Sequence, residues 1–83
     1  MDYMQEVRRL GFRRFEAKRG STFSNSKIII QFRINPNGGD GVVKKRTRLQ
    51  FPKMKLLETN RNIYNINQGL NWSLDMMKKY GNI

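Results

Sequence analysis

Lys44, Arg46 and Arg48 recur at every second position of VVKKRTRLQF, residues 42–51. In a strand, successive side chains point to opposite faces. These three cations therefore share one face with Val42 and Gln50, while Val43, Lys45, Thr47, Leu49 and Phe51 fall on the other. The chemistry of such a face is charge. Each Lys or Arg that neutralises a phosphate releases condensed counterions, which drives binding to a polyanion. Arg13, Arg14, Lys18, Arg19, Arg33, Lys53 and Lys55 extend the set, and together with Lys44, Arg46 and Arg48 they are the candidate nucleic-acid-binding residues. Phe12 and Phe15 bracket Arg13 and Arg14. Single strands are held in this way, by bases stacked on aromatic rings between cations. The plain alternatives are a lysine-rich edge strand that discourages aggregation and two phenylalanines that simply pack on a sheet.

Other chemistries are poorly supplied. The chain has no His and no Cys. The common nucleophile–base pairs cannot be built, there is no disulfide, and zinc lacks its usual nitrogen and sulfur ligands. Ser21, Ser24 and Ser26 read as loop residues, and the six acids, Asp2, Glu6, Glu16, Asp40, Glu58 and Asp75, show no spacing typical of a metal site. Gly38, Gly39 and Gly41 are not followed by Gly-Lys-Ser/Thr, which sets aside a phosphate loop of the Walker type, and Lys44 stands where a dinucleotide fingerprint needs its last glycine. The expectation is a non-enzyme without cofactor or metal. The enzyme reading that remains is a His-free ribonuclease toxin, which would use Lys, Arg and Tyr to stabilise a phosphorane-like charge.

Seventeen Lys and Arg stand against six Asp and Glu in 83 residues, a net charge of +11. Between Glu16 and Glu58 the only acid is Asp40. Charge of this size favours polyanions without conferring specificity. The length supports one domain, residues 1–83. Only 37% of residues are hydrophobic, and a core that small leaves little stability margin. A homodimer, or order gained on binding a partner, would supply the missing burial. No apolar run approaches a membrane span, and MDYMQEVRRL lacks the apolar centre of a signal peptide. The expectation is a cytoplasmic protein with no membrane partner. Asn71-Trp72-Ser73 matches a glycosylation sequon, read as chance in that setting.

The elements that must position these residues are those of an α+β domain. Asp2 is placed to cap a short N-terminal helix with Tyr3, Val7 and Leu10 on one face and Gly11 as its stop. Residues 12–18 suit a first strand. GSTFSNS, residues 20–26, reads as a loop by composition. Residues 28–34 form the clearest strand, with Ile28, Ile30, Phe32 and Ile34 on one face and Ile29, Gln31 and Arg33 on the other. NPNGGDG, residues 35–41, reads as a seven-residue hairpin loop, so the central hairpin spans residues 27–51 and Pro52 ends it. Ile63, Ile66, Leu70, Leu74 and Met77 form one helical stripe. Gly69 and the neighbouring asparagines suggest that this helix starts near Gln68 or Asn71, with Asn71 as cap. The expected fold is about three antiparallel strands packed on a C-terminal helix. Phe32, Phe51 and Trp72 are expected in its core. Ile29, Gln31, Arg33, Lys44, Arg46, Arg48 and Gln50 are expected on its open face. This order over roughly residues 12–80 resembles sheet-type DNA readers such as integrase arm-binding domains, in which a three-stranded sheet enters the major groove; no motif carries the resemblance.

The function expected is a small non-catalytic nucleic-acid-binding protein, RNA slightly ahead of DNA, of the kind a phage or mobile element carries as an accessory factor. The alternative is an inhibitor or antitoxin that binds an acidic or RNA-bound protein, such as a ribonuclease, by electrostatic complementarity.

Overall fold

The computed structural model describes residues 2–47 and 54–81. The elements are α1 (Tyr3–Arg9), β1 (Arg13–Ala17), β2 (Gly20–Ser24), β3 (Ile28–Asn35), β4 (Gly38–Arg46), β5 (Met54–Ile63) and α2 (Ile66–Tyr80). All five strands form one antiparallel sheet in the order β1-β2-β3-β4-β5, each paired with its neighbours in sequence. Both helices pack on one face. The α+β class, the central hairpin, the C-terminal helix and the short N-terminal helix are as the sequence implies; the sheet has five strands rather than three.

The N-terminal helix ends as its sequence dictates. The Asp2 carboxylate accepts from the Met4 N–H at 3.2 Å, satisfying one of the first-turn donors. Gly11 takes φ +86°, a conformation that costs glycine little. The turn lets the Phe12 N–H donate to the Val7 carbonyl and feeds the chain into β1.

The first unforeseen strand is β2. Its composition is polar, yet Phe23 is fully buried and Ser21 is buried beside it, while Thr22 and Ser24 are only partly covered. One large apolar side chain at the right parity suffices, because β2 lies between β1 and β3 and gains ladder bonds on both edges. The second is β5. Its alternation is broken where Val43 lies opposite Glu58 but Lys44 lies opposite Leu56, a bulge that leaves one extra residue, Leu57.

In β3 the alternation is realised. Ile28, Ile30 and Phe32 are buried, and Gln31 and Arg33 are exposed. The glycine segment is not a seven-residue loop. Asn35 lies opposite Gly38, so only Pro36 and Asn37 turn the chain, and residues 38–41 already belong to β4. Gly38 takes φ +119° at the end of that turn. Gly41 is a strand residue for a packing reason. A Cβ there would lie 2.5 Å and 2.7 Å from two ring carbons of Trp72, so the indole of α2 occupies the space a side chain would need.

The start of α2 is at Ile66, earlier than the sequence suggests. Asn65, not Asn71, is the cap: its Oδ1 accepts from the Gln68 N–H at 2.8 Å, and the Gln68 side chain accepts from the Tyr64 N–H at 2.7 Å. These two side-chain bonds at the first turn satisfy backbone donors there and outweigh the poor propensity of the asparagines. The buried stripe is Gly69, Ser73, Met76 and Met77, flanked by partly buried Leu70, Trp72, Leu74 and Tyr80. Ile66 is 42% exposed and Ile63 belongs to β5, so the expected stripe is rotated. Gly69 is the pivot of that rotation, since it admits the Phe32 ring against the helix backbone. Val7, Phe12, Phe23, Ile28, Ile30, Phe32, Val43, Ile63, Met76 and Met77 make the core. Leu56 is exposed, and Phe51, expected in the core, lies outside the described residues. Tyr3 Oη donates to the Leu70 carbonyl at 2.7 Å and joins the two helices. Burial pushes its phenol up to about 12 against a smaller opposing effect of Arg14.

Candidate nucleic-acid interface

Because both helices cover one face, the other face of the meander is open among the described residues. The register defines its rows. Arg13, Ser24, Ile29, Lys44 and Leu56 lie side by side across five strands, and Phe15, Thr22, Gln31, Val42 and Thr59 form the next row. A third contains Ala17, Gly20, Arg33 and Asp40. Arg46 continues β4 two residues beyond Lys44, opposite Met54. Arg61 of β5 joins Asp40, Val42 and Thr59 around a shallow recess. Among the described residues the face thus presents five cations, Arg13, Arg33, Lys44, Arg46 and Arg61, and one carboxylate, Asp40, which stands directly opposite Arg33.

The other acids of the sheet and of α1 are engaged on the helix side. Glu6 pairs with Arg9, Glu16 with Arg14 at 3.0 Å, and Glu58 with Lys79 at 2.8 Å. The Arg9 hydrogen bond holds the Glu6 carboxyl below the usual range, and the Glu58 carboxylate raises the Lys79 ammonium. Exposed pairs contribute little stability. Their consequence here is that Glu6, Glu16 and Glu58 are engaged away from the open face, where Asp40 is the carboxylate among the described residues.

The residues predicted from sequence divide accordingly. Arg13, Arg33, Lys44 and Arg46 share the open face with Ile29 and Gln31, as the alternation implies. Arg14 does not. It lies on the helix side, donates to Ser21 Oγ at 3.3 Å and stands over the rings of Tyr3 and Phe23 at 5.8 and 5.7 Å, so it closes the edge of the core. Lys18 and Arg19 form the exposed β1–β2 turn and border a recess of about 400 Å³ with Gln31 and Arg33. Lys55 pairs with Lys45 and belongs to the helix side by parity. Arg48, Lys53 and Gln50 lie outside the described residues.

The aromatic candidates also separate. Phe12 is buried, whereas Phe15 is 54% exposed on the open face with the Arg13 guanidinium 6.0 Å from its ring centre. Arg61 escaped the sequence reading because β5 was not recognised as a strand; the alternation Thr59, Arg61 was the signal present.

Among the described residues, no three of His, Cys, Asp and Glu come together as metal ligands, and no helix is long and apolar enough to cross a membrane. Comparison with protein families, with curated proteins and with solved structures finds no match.

Proposed function

We propose that the chain is a small non-catalytic nucleic-acid-binding protein that lays its ligand across the open sheet face, and that the ligand is RNA rather than duplex DNA. The observation that carries this reading is the face itself: among the described residues it has five cations, an exposed Phe15 and a single carboxylate, with Glu6, Glu16 and Glu58 paired on the other side of the sheet. Dimensions favour RNA. Three strands span about 10 Å and fit a major groove about 12 Å wide, whereas five strands spaced about 4.8 Å apart span roughly 19 Å before side chains are added. The broad face cannot enter that groove. It is suited to unpaired bases spread over a surface. A cytoplasmic location belongs to the same reading.

The test is the salt dependence of binding to a single-stranded RNA. Changing Arg33, Lys44 and Arg46 to Gln should lower the log–log slope by roughly 0.7 per lost phosphate contact without unfolding the protein, since all three lie on the uncovered face. An unchanged slope in a folded triple variant refutes the assignment. A second reading, an inhibitor or antitoxin bound to a protein, is favoured by Leu56, Tyr64 and Ile66, which are large, apolar and exposed along β5 and its junction with α2. A stoichiometric protein complex that survives nuclease treatment would favour it.

A further inference from the structure

The middle row of the open face carries no charge. Phe15, Thr22, Gln31, Val42 and Thr59 lie side by side in it, from β1 to β5. On every strand but β2 a cation stands two residues away: Arg13, Arg33, Lys44 and Arg61. We propose that a single strand of RNA runs along this row, perpendicular to the β-strands, and that its site is about four nucleotides long. The inference rests on the nucleic-acid reading above and adds to it the direction of the bound strand and the length of its site.

The cations alternate about the row. Arg13 and Lys44 lie on one side of it, Arg33 and Arg61 on the other. Two residues along a strand span about 7 Å, a gap that the long stems of Lys and Arg can bridge. A backbone lying along the row therefore meets cations from both sides, and counterion release acts at each phosphate they reach. Among the described residues none of the four is in an ion pair. Asp40 stands in the next row, between Arg33 and Arg61 in strand order, and is off the path. A strand laid along β4 instead would pass from Lys44 to the Asp40 carboxylate, where like charges meet.

The surface is hollowed beside the same row. One recess, about 400 Å³, is lined by Thr22 and Gln31 of the row and by Lys18, Arg19 and Arg33 beyond it. A second, about 330 Å³, is lined by Val42 and Thr59 of the row and by Asp40 and Arg61 beyond it. Both lie on the same side of the row, so a strand that follows it passes from one into the other. The β1 end is closed differently: the Arg13 guanidinium lies 6.0 Å from the Phe15 ring centre and covers that ring. From Thr22 to Thr59, three strand spacings of about 4.8 Å give roughly 14 Å. Stacked nucleotides rise about 3.4 Å each, so about four fill that length. Four is also about the lower end of single-domain site sizes.

The experiment uses fluorescence anisotropy with oligouridylates of about 2 to about 12 residues, which bracket the expected length. Wild-type affinity should rise steeply up to about four residues and beyond that only as the number of binding registers grows. Thr22→Glu and Thr59→Glu place a carboxylate on β2 and on β5, at the two ends of the path. Each should weaken the longest probe by about tenfold or more relative to Asn71→Glu, which adds the same charge at an exposed position of α2. Thr59→Gln, larger but neutral, should bind as the wild type does. Thr59 is exposed, so the test stands on that residue alone if Thr22→Glu does not fold. A folded Thr22→Glu or Thr59→Glu that binds like Asn71→Glu overturns the path, as does a steep rise that continues well past four residues. If Arg33→Gln and Lys44→Gln still weaken the probe in that case, the charged face stands without the path. Insensitivity to those two as well removes the face and the path together.

Discussion

Replacing Gly69 by Ala tests the docking of α2 on the sheet. At an uncrowded helical site alanine is favoured over glycine by about 1 kcal/mol, so helix propensity alone predicts a more stable protein. The added Cβ, however, would lie 2.3 Å from both Cδ2 and Cε2 of Phe32 and 2.7 Å from Cζ. Carbon atoms pack best at about 3.5–4.0 Å, so three ring atoms are each about 1 Å too close. Phe32 has nowhere to retreat, being 1% exposed and held in the central strand between β2 and β4. Overpacking costs about 1–3 kcal/mol, and simultaneous conflict with three atoms puts this site at the upper end. Subtracting the propensity gain leaves a net loss of about 2 kcal/mol. For a domain of this size 1 kcal/mol moves Tm by about 4–8 °C, so the melt should fall by roughly 8–16 °C. Thermal melts followed by circular dichroism give the answer. Asn71→Ala, at an exposed position of the same helix, serves as the internal reference and should raise Tm by a few degrees. If Gly69→Ala also raises it, Phe32 does not sit against the helix backbone, and the packing of α2 described above is wrong.

Three further outcomes are expected. Gly38→Ala should lower stability by about 1 kcal/mol although its Cβ would meet nothing within 4 Å, because φ is +119° there; a neutral melt would mean that the turn relaxes without cost. Tyr3→Phe should cost about 1 kcal/mol through the lost bond to Leu70. In the wild type Tyr3 should ionise near pH 12. Its folded pKa is raised, so its contribution is present below the ordinary tyrosine value and is lost as pH rises towards 12; a phenolate absorbance that Tyr3→Phe diminishes near pH 10 rather than near pH 12 would contradict it. Glu6 has the opposite sign. Its folded pKa is lowered by Arg9, so its contribution is full above the ordinary carboxylate value and lost on acidification. Glu6→Gln should therefore flatten the fall of Tm between about pH 5 and pH 2, and an unaltered acid limb would show that the pair does not couple to folding.

Residues 28–34 announced a strand because four apolar side chains at one parity leave little else to do, and the cations at Arg33, Lys44 and Arg46 were placed on the open face by the same parity. The two unrecognised strands show what the pattern omits. In GSTFS one buried phenylalanine does what a run of β-branched residues usually does, since the sheet supplies neighbours on both sides. In MKLLETNRNI a bulge moves Leu57 out of phase with Leu56 and Glu58, so the strand shows no apolar alternation and only Thr59 and Arg61 keep its period. Glycine misled twice for one reason. Gly41 and Gly69 look like breakers in isolation, but each lies where a ring from another element, Trp72 or Phe32, needs the space. That demand is tertiary and has no local signature. Phe12 and Phe15 are equivalent by composition; only the fold, which turns the chain at Gly11 and buries Phe12 just ahead of β1, tells a core residue from a surface one.

The strand order of the sheet also determines how the chain is assembled in time. β1 to β4 are joined by connections of two, three and two residues, Lys18-Arg19, residues 25–27 and Pro36-Asn37. Each hairpin can close by itself in about 1–10 μs, and no strand waits for a partner from elsewhere in the chain. The strand pairings of a sheet organised in this way have short sequence separation, which favours fast folding. The distant contacts are made by α2, as in the bond between Tyr3 and Leu70, which spans 67 positions, and the approach of Phe32 to Gly69 and of Gly41 to Trp72. During synthesis from the N-terminus, the ladder can grow strand by strand while α1 waits beside it, and the arrival of α2 closes the structure from both ends.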